Sequence, residues 1–247
     1  MNALFSLQDC FLAEPQWQGL LLNLNYPQSD CELTRERRAL SDLYFAQLAK
    51  IPGIVRHMYP LREAMKHGAP VDTSVLAPLE AYVEQLRQDS MAWAEDMYRL
   101  IPGPTEIESK NTSSPFPTVF DYENPWYGAL YIGYWASMII LQATLSLCQE
   151  SAQLQADNAF LARNIFRSLE TVGAGVMGPY RVGYGVRIAW ELADEHTQLW
   201  IKSLLASYGK LYGGLQEKSF ELPTSSLGAS ATASPRAGEL MPTGLSL

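Results

Sequence analysis

The chain holds 247 residues, 47% of them apolar, with a formal net charge of -8. That size supports a real core in one large domain or two small ones. The acidic balance argues against a phosphate-binding groove made by this chain alone, since such grooves draw their affinity from Lys and Arg. Three scattered cysteines, Cys10, Cys31 and Cys148, are too few for a disulfide framework or a zinc knuckle, so a reducing interior, nucleus or cytoplasm, is the expected setting. The sequon at Asn111 is then idle. The first 34 residues carry no Lys or Arg, which leaves a secretory or transit leader without support.

In chain order, apolar spacing predicts a helix over 33–51, with Leu40, Tyr44, Leu48 and Ile51 on one stripe and Pro52-Gly53 ending it. A second helix is expected over 55–66, stopped at His67-Gly68. From Leu79 the steps Leu79, Val83, Leu86, Ser90, Trp93, Met97 and Leu100 alternate four and three, predicting a long amphipathic helix closed by Pro102-Gly103-Pro104. That seam is expected to pack inside the domain. Residues 102–118 read as a polar Pro- and Ser-rich connection or a weak domain boundary. Residues 126–149 carry no charge, enough length to cross a bilayer. Their Gln, Ser and Thr content and the lack of a flanking basic cluster favour a buried central helix over a span. A polar interruption at 153–158 precedes a helix over 160–172. Beyond the glycines, Val186, Trp190, Ala193, Thr197, Trp200 and Leu204 continue one stripe toward Leu211. No segment reads as a strand. The expected architecture is all-α: a single multi-helix domain over 1–222 around the uncharged helix, with a disordered tail over 223–247.

Gly173-Ala-Gly175-Val-Met-Gly178 matches the G-x-G-x-x-G dinucleotide fingerprint letter for letter. The fingerprint works only where a strand delivers the chain to a helix N-terminus that faces the pyrophosphate. A helix is expected before these glycines instead, so they read as an interhelical turn, and no dinucleotide, other cofactor or metal is expected. Asp194-Glu195-His196 cannot chelate as consecutive helical residues, which point about 100° apart. His57 and His67 have no acidic partner at i+3 or i+4. Asp121 and Glu123 are expected to cap the uncharged helix, an acid/base pair being the alternative. Arg187 and Glu191 are expected to pair at i, i+4. Arg181 is the candidate to hold an anionic or carbonyl oxygen, with Tyr184 and Trp135 the aromatics to shape an apolar pocket.

Four stretches in order resemble the regulatory region of fungal zinc binuclear-cluster transcription factors. They are Trp17 followed by Leu40-Ser-Asp42-Leu and Ile51-Pro-Gly-Ile54; Phe116-Pro-Thr-Val-Phe120-Asp-Tyr122 leading to Ala129-Leu-Tyr131 and Tyr134-Trp135-Ala136; Ala162-Arg-Asn-Ile165-Phe-Arg-Ser168-Leu-Glu170; and Met177-Gly178-Pro179-Tyr180 with Val186-Arg-Ile188-Ala-Trp190-Glu191. The resemblance covers residues 14–212 and implies an all-α effector or dimerisation domain, with specialised metabolism as its setting by analogy. The family's six-cysteine basic DNA reader has no counterpart among the residues given, so sequence-specific DNA binding by this chain is not expected. The chain is then a truncated factor, a regulator acting through a protein partner or as a homodimer, or a domain reused for chemistry. The alternative function is a cofactor-independent enzyme of cyclase or isomerase type, or a binding protein for a small apolar ligand. Its candidate residues are Arg181, Tyr184 and Trp135. No membrane partner is expected.

Overall fold

A computed structural model describes residues 7–22, 32–70, 73–149 and 151–209 of the chain. Helices make nearly all the regular structure. A 3-10 turn at Phe11–Ala13 leads to α1 (Pro15–Leu22), α2 (Glu32–Leu48), α3 (Ile51–Lys66) and α4 (Thr73–Leu100). Strands β1 (Thr105–Glu108) and β2 (Thr118–Asp121) follow, then α5 (Pro125–Cys148), α6 (Ala152–Val172), α7 (Gly178–Ala189) and α8 (Glu195–Gly209). The class is mostly all-α, as the sequence implies, with one hairpin the sequence reading lacked. The predicted tail, and the stretch toward Leu211, lie outside the described residues.

The uncharged segment is α5, and α3, α4, α6 and α7 all pack against it. Residues 130–142 are buried without a break. A helix covered on every side needs no polar stripe, which accounts for its composition. It is long and apolar enough to cross a membrane, but 83% of its apolar window is buried by the protein's own residues. Its start is fixed by Asn124, whose side chain accepts the Trp126 backbone N–H at 2.9 Å, with Pro125 in the first helical position. Asp121 instead ends β2, so neither it nor Glu123 is the cap expected from the sequence.

The four-three seam of α4 faces inward, with Leu79, Val83, Leu86, Ser90, Trp93 and Met97 all buried. Ser90 sits in that apolar row because its hydroxyl donates to the Leu86 carbonyl at 2.8 Å. Trp93 donates its indole N–H to the Leu40 carbonyl of α2 at 2.8 Å, tying the two helices.

Three helix boundaries differ from the sequence reading, each for a local reason. The expected stop at Pro52-Gly53 is a start: Pro52 occupies the first turn of α3, where its missing N–H costs nothing. The polar stretch 153–158 is helical, because Ser151 caps α6 by accepting the Leu154 N–H at 3.3 Å. The stripe from Val186 to Leu204 is broken by a 3-10 turn at Trp190–Leu192, after which Asp194 accepts the Thr197 N–H at 2.7 Å and starts α8.

The missed hairpin pairs β1 with β2 antiparallel, Thr105 opposite Asp121 and Glu108 opposite Thr118. Two strands of four residues hold little alone. They and the residues beside them are held from α6 by Arg167, Ser168 and Glu170. Arg167 donates to the Thr118 carbonyl at 3.1 Å and to its hydroxyl at 2.8 Å, pairs with Glu106 at 3.0 Å, and lies 4.1 Å over the Phe120 ring. Ser168 bonds Tyr122 at 2.8 Å, while Glu170 accepts from Ser109 at 2.7 Å and from the Lys110 N–H at 2.8 Å. The second and third of the four resemblance stretches are thus bound to each other.

Candidate functional site

The glycine pattern lies between two helices. α6 runs to Val172, α7 starts at Gly178, and no strand enters the turn. Gly175 has φ +76°, the left-handed conformation in which a side chain is strained. A Cβ on Gly178 would collide with the Gly173 carbonyl, so the backbone folds directly onto itself there. Val176 and Met177 between these glycines, and Tyr180 in the first turn of α7, are apolar and exposed, at 68%, 50% and 54%.

The most polar part of the interior lies where α2, α4, α5 and α7 meet. Ser137 of α5 bonds the Tyr184 hydroxyl of α7 at 3.4 Å and also engages Tyr44 of α2. Tyr44 reaches α5 because Gly133 leaves room: a Cβ there would run into the Tyr44 hydroxyl. Burial pushes both phenols, Tyr44 and Tyr184, well above their ordinary value, so both stay protonated donors. Tyr44, Ser137, Tyr134, Ser90, Gln47 and Ile51 line a cavity of about 10 Å³. That is roughly the space one water molecule needs. Sites for small molecules take roughly 300–1,000 Å³.

The three residues proposed to carry chemistry do not converge. Tyr184 meets Ser137 at the cavity's edge and lies near Tyr44. Trp135 is buried 5.6 Å from the Tyr131 ring and 6.3 Å from that of Phe120, and it does not line the cavity. Arg181 lies at the other end of α5, its guanidinium 5.7 Å over the Trp126 ring. Its Nε is buried with no hydrogen-bond partner among the described residues. Tyr44, Ser137 and Gln47, which do meet, were invisible as a set because they come from separate helices. The stripe placed Tyr44 in the core without indicating what its hydroxyl would meet.

Other expectations resolve locally. Glu191 pairs with Arg62 of α3, not with Arg187. Asp194 is a helix cap, its carboxyl held below the usual range chiefly by the Thr197 N–H, while Glu195 and His196 are exposed beside it. His67 lies 3.9 Å from Glu63, an acidic partner four residues before it and not after it. His57 is half-buried, and burial together with Arg56 lowers its pKa. No group of three potential metal ligands occurs among the described residues.

No family model matches this chain, and no curated protein or solved structure matches it either. The likeness to fungal regulators therefore rests on the four sequence stretches.

Proposed function

We propose that the chain is a helical regulatory domain, similar to that of fungal zinc-cluster factors but without their DNA reader, which acts through its surface on a protein partner or a second copy of itself. The observation that carries this reading is a contrast within the molecule. The cavity beside Ser137 measures about 10 Å³, whereas Val176, Met177 and Tyr180 expose apolar area at and just beyond the glycine turn. Large apolar side chains held outward on an ordered backbone suit recognition of another macromolecule. The four resemblance stretches support the regulatory part, and a specialised-metabolite gene cluster is the setting they suggest.

The reading is tested with Met177→Asp combined with Tyr180→Asp, a change on the turn that leaves the core intact. The purified variant should melt within a few degrees of the parent, and a strain carrying it should lose transcripts of one co-regulated gene set. Unchanged transcripts, with the variant present at normal levels, would count against a regulatory surface at this turn.

The competing reading, a cofactor-independent enzyme, draws on Arg181, Tyr184 and Trp135, none of which is among the residues lining the cavity beside Ser137.

A further inference from the structure

Two buried tryptophans converge on one exposed tyrosine. Trp93 of α4 and Trp135 of α5 are 2% and 6% exposed. The Tyr134 ring centroid lies 5.9 Å from Trp93 and 6.5 Å from Tyr98. The Tyr131 ring centroid lies 5.6 Å from Trp135 and 5.9 Å from Tyr98. Tyr98, in the last turns of α4, is 56% exposed. Both routes out of the core end on the same surface phenol.

We propose that Tyr98 is the outlet for one-electron oxidation of the core: a hole on Trp93 or Trp135 crosses Tyr134 or Tyr131 and comes to rest at Tyr98 as a neutral phenoxyl radical, the precursor of a dityrosine link. The hole arises when light ejects an electron from an indole and dioxygen takes it up as superoxide. The tryptophan radical cation is refilled by an electron that originates on Tyr98. Tyr98 releases its phenolic proton to water and so retains the hole. Two such radicals on separate chains join through a ring carbon–carbon bond, and the two ring hydrogens move to the phenolic oxygens. For each pair of chains, two electrons go to two dioxygen molecules and two protons to water.

The bridging rings pass the electron without being oxidised themselves, because a phenol that cannot shed its proton is harder to oxidise than an indole. Tyr131 and Tyr134 are buried, and burial pushes each up to about 12. The Tyr131 hydroxyl faces the Ile101 carbonyl at 3.4 Å, which is an acceptor and not a base. Tyr98 alone on either route meets solvent. The molecule also contains its own controls. Trp200 is 3% exposed, but its ring neighbour among the described residues is Phe116, which faces Phe166, and neither benzene ring is oxidised as readily as a phenol. Tyr180 is as exposed as Tyr98, yet among the described residues it makes ring contact with neither tryptophan.

The test is flash photolysis of the full chain in air at a wavelength absorbed by tryptophan, followed by peptide mapping, on the parent, Tyr98→Phe and Tyr180→Phe. Melting curves confirm that both variants fold. In the parent, decay of the tryptophan radical should feed a tyrosyl radical, and dityrosine should map to the Tyr98 peptide. Tyr98→Phe should abolish that link and raise oxidised Trp93 and Trp135 severalfold while leaving Trp200 unchanged, and Tyr180→Phe should behave as the parent. Equal oxidation of Trp93 and Trp135 in all three proteins would overturn the proposal. So would a rise at Trp200 matching theirs in Tyr98→Phe, or dityrosine mapping to Tyr180 in the parent.

Discussion

Gly175 and Gly178 sit three residues apart and are required for different reasons. At Gly175 the backbone is left-handed and nothing lies within 4 Å of a built Cβ, so alanine there costs only conformation. At Gly178 the backbone φ is ordinary, but a Cβ meets the Gly173 carbonyl, which belongs to the chain itself and cannot swing aside. Gly175→Ala should therefore lose about 1 kcal/mol, and Gly178→Ala should lose more, about 3 kcal/mol of overpacking strain. Urea denaturation of the two variants checks the order, and equal losses would contradict it. The sequence revealed that these glycines punctuate two helices, because the apolar spacing on either side is helical. It did not reveal which glycine needs conformation and which needs space, since that depends on where the backbone folds over itself. The same limit applies at Asn124. Any of three polar residues, Asp121, Glu123 or Asn124, offers an oxygen near the start of α5, and only the geometry of the entering strand selects one.

At the scale of elements, long periodic helices were legible and their ends were not. Leu79 to Met97 shows its inner face in the spacing alone, because a stripe sustained over five helical turns leaves few other folds. The breaks at Pro52 and Asp194 were not legible, because proline and aspartate stop a helix or start one according to a neighbour's register. The hairpin was the largest omission. Its strands have four residues each, and their register is held by α6, more than forty residues further along the chain, so no local pattern announces them. Arg167 carries that attachment: its side chain is 14% exposed and spans both strands, bonding Thr118 on one and Glu106 on the other. Arg167→Ala should cost about 2 kcal/mol, the range for hydrogen bonds to a charged group. Arg167→Lys should recover little of it, since an ammonium lacks the planar fork that reaches both strands. The loss should be local, read as faster amide hydrogen exchange at 105–108 and 118–121 with protection in α5 unchanged. Exchange that accelerates throughout the chain in Arg167→Ala would show that the hairpin is part of the core's cooperative unit.

At the scale of the whole molecule, the core is built around α5 from an unusual number of phenols. Tyr44, Tyr122, Tyr184 and Tyr208 are held above their ordinary value chiefly by burial, and Tyr131 and Tyr134 are pushed up to about 12. A phenol whose folded pKa lies above its unfolded value of about 10 binds its proton more tightly when folded. Its contribution to stability is complete below pH 10 and falls away as pH rises through the folded values. Helix content should thus collapse cooperatively above pH 10, and the tyrosinate absorbance of these side chains should rise in the same step. Gradual ionisation near pH 10 with helix content intact would show the phenols to be accessible. The sequence supplied aromatic residues enough for either a pocket or a solid core, and only their packing distinguishes the two. The most direct test of the regulatory reading compares transcripts and metabolites in a strain from which the gene is deleted. The account predicts that transcripts of one co-regulated set fall together, with no single intermediate accumulating beside normal transcripts. Normal transcripts, with one accumulated intermediate that the purified protein converts without added cofactor, would contradict it.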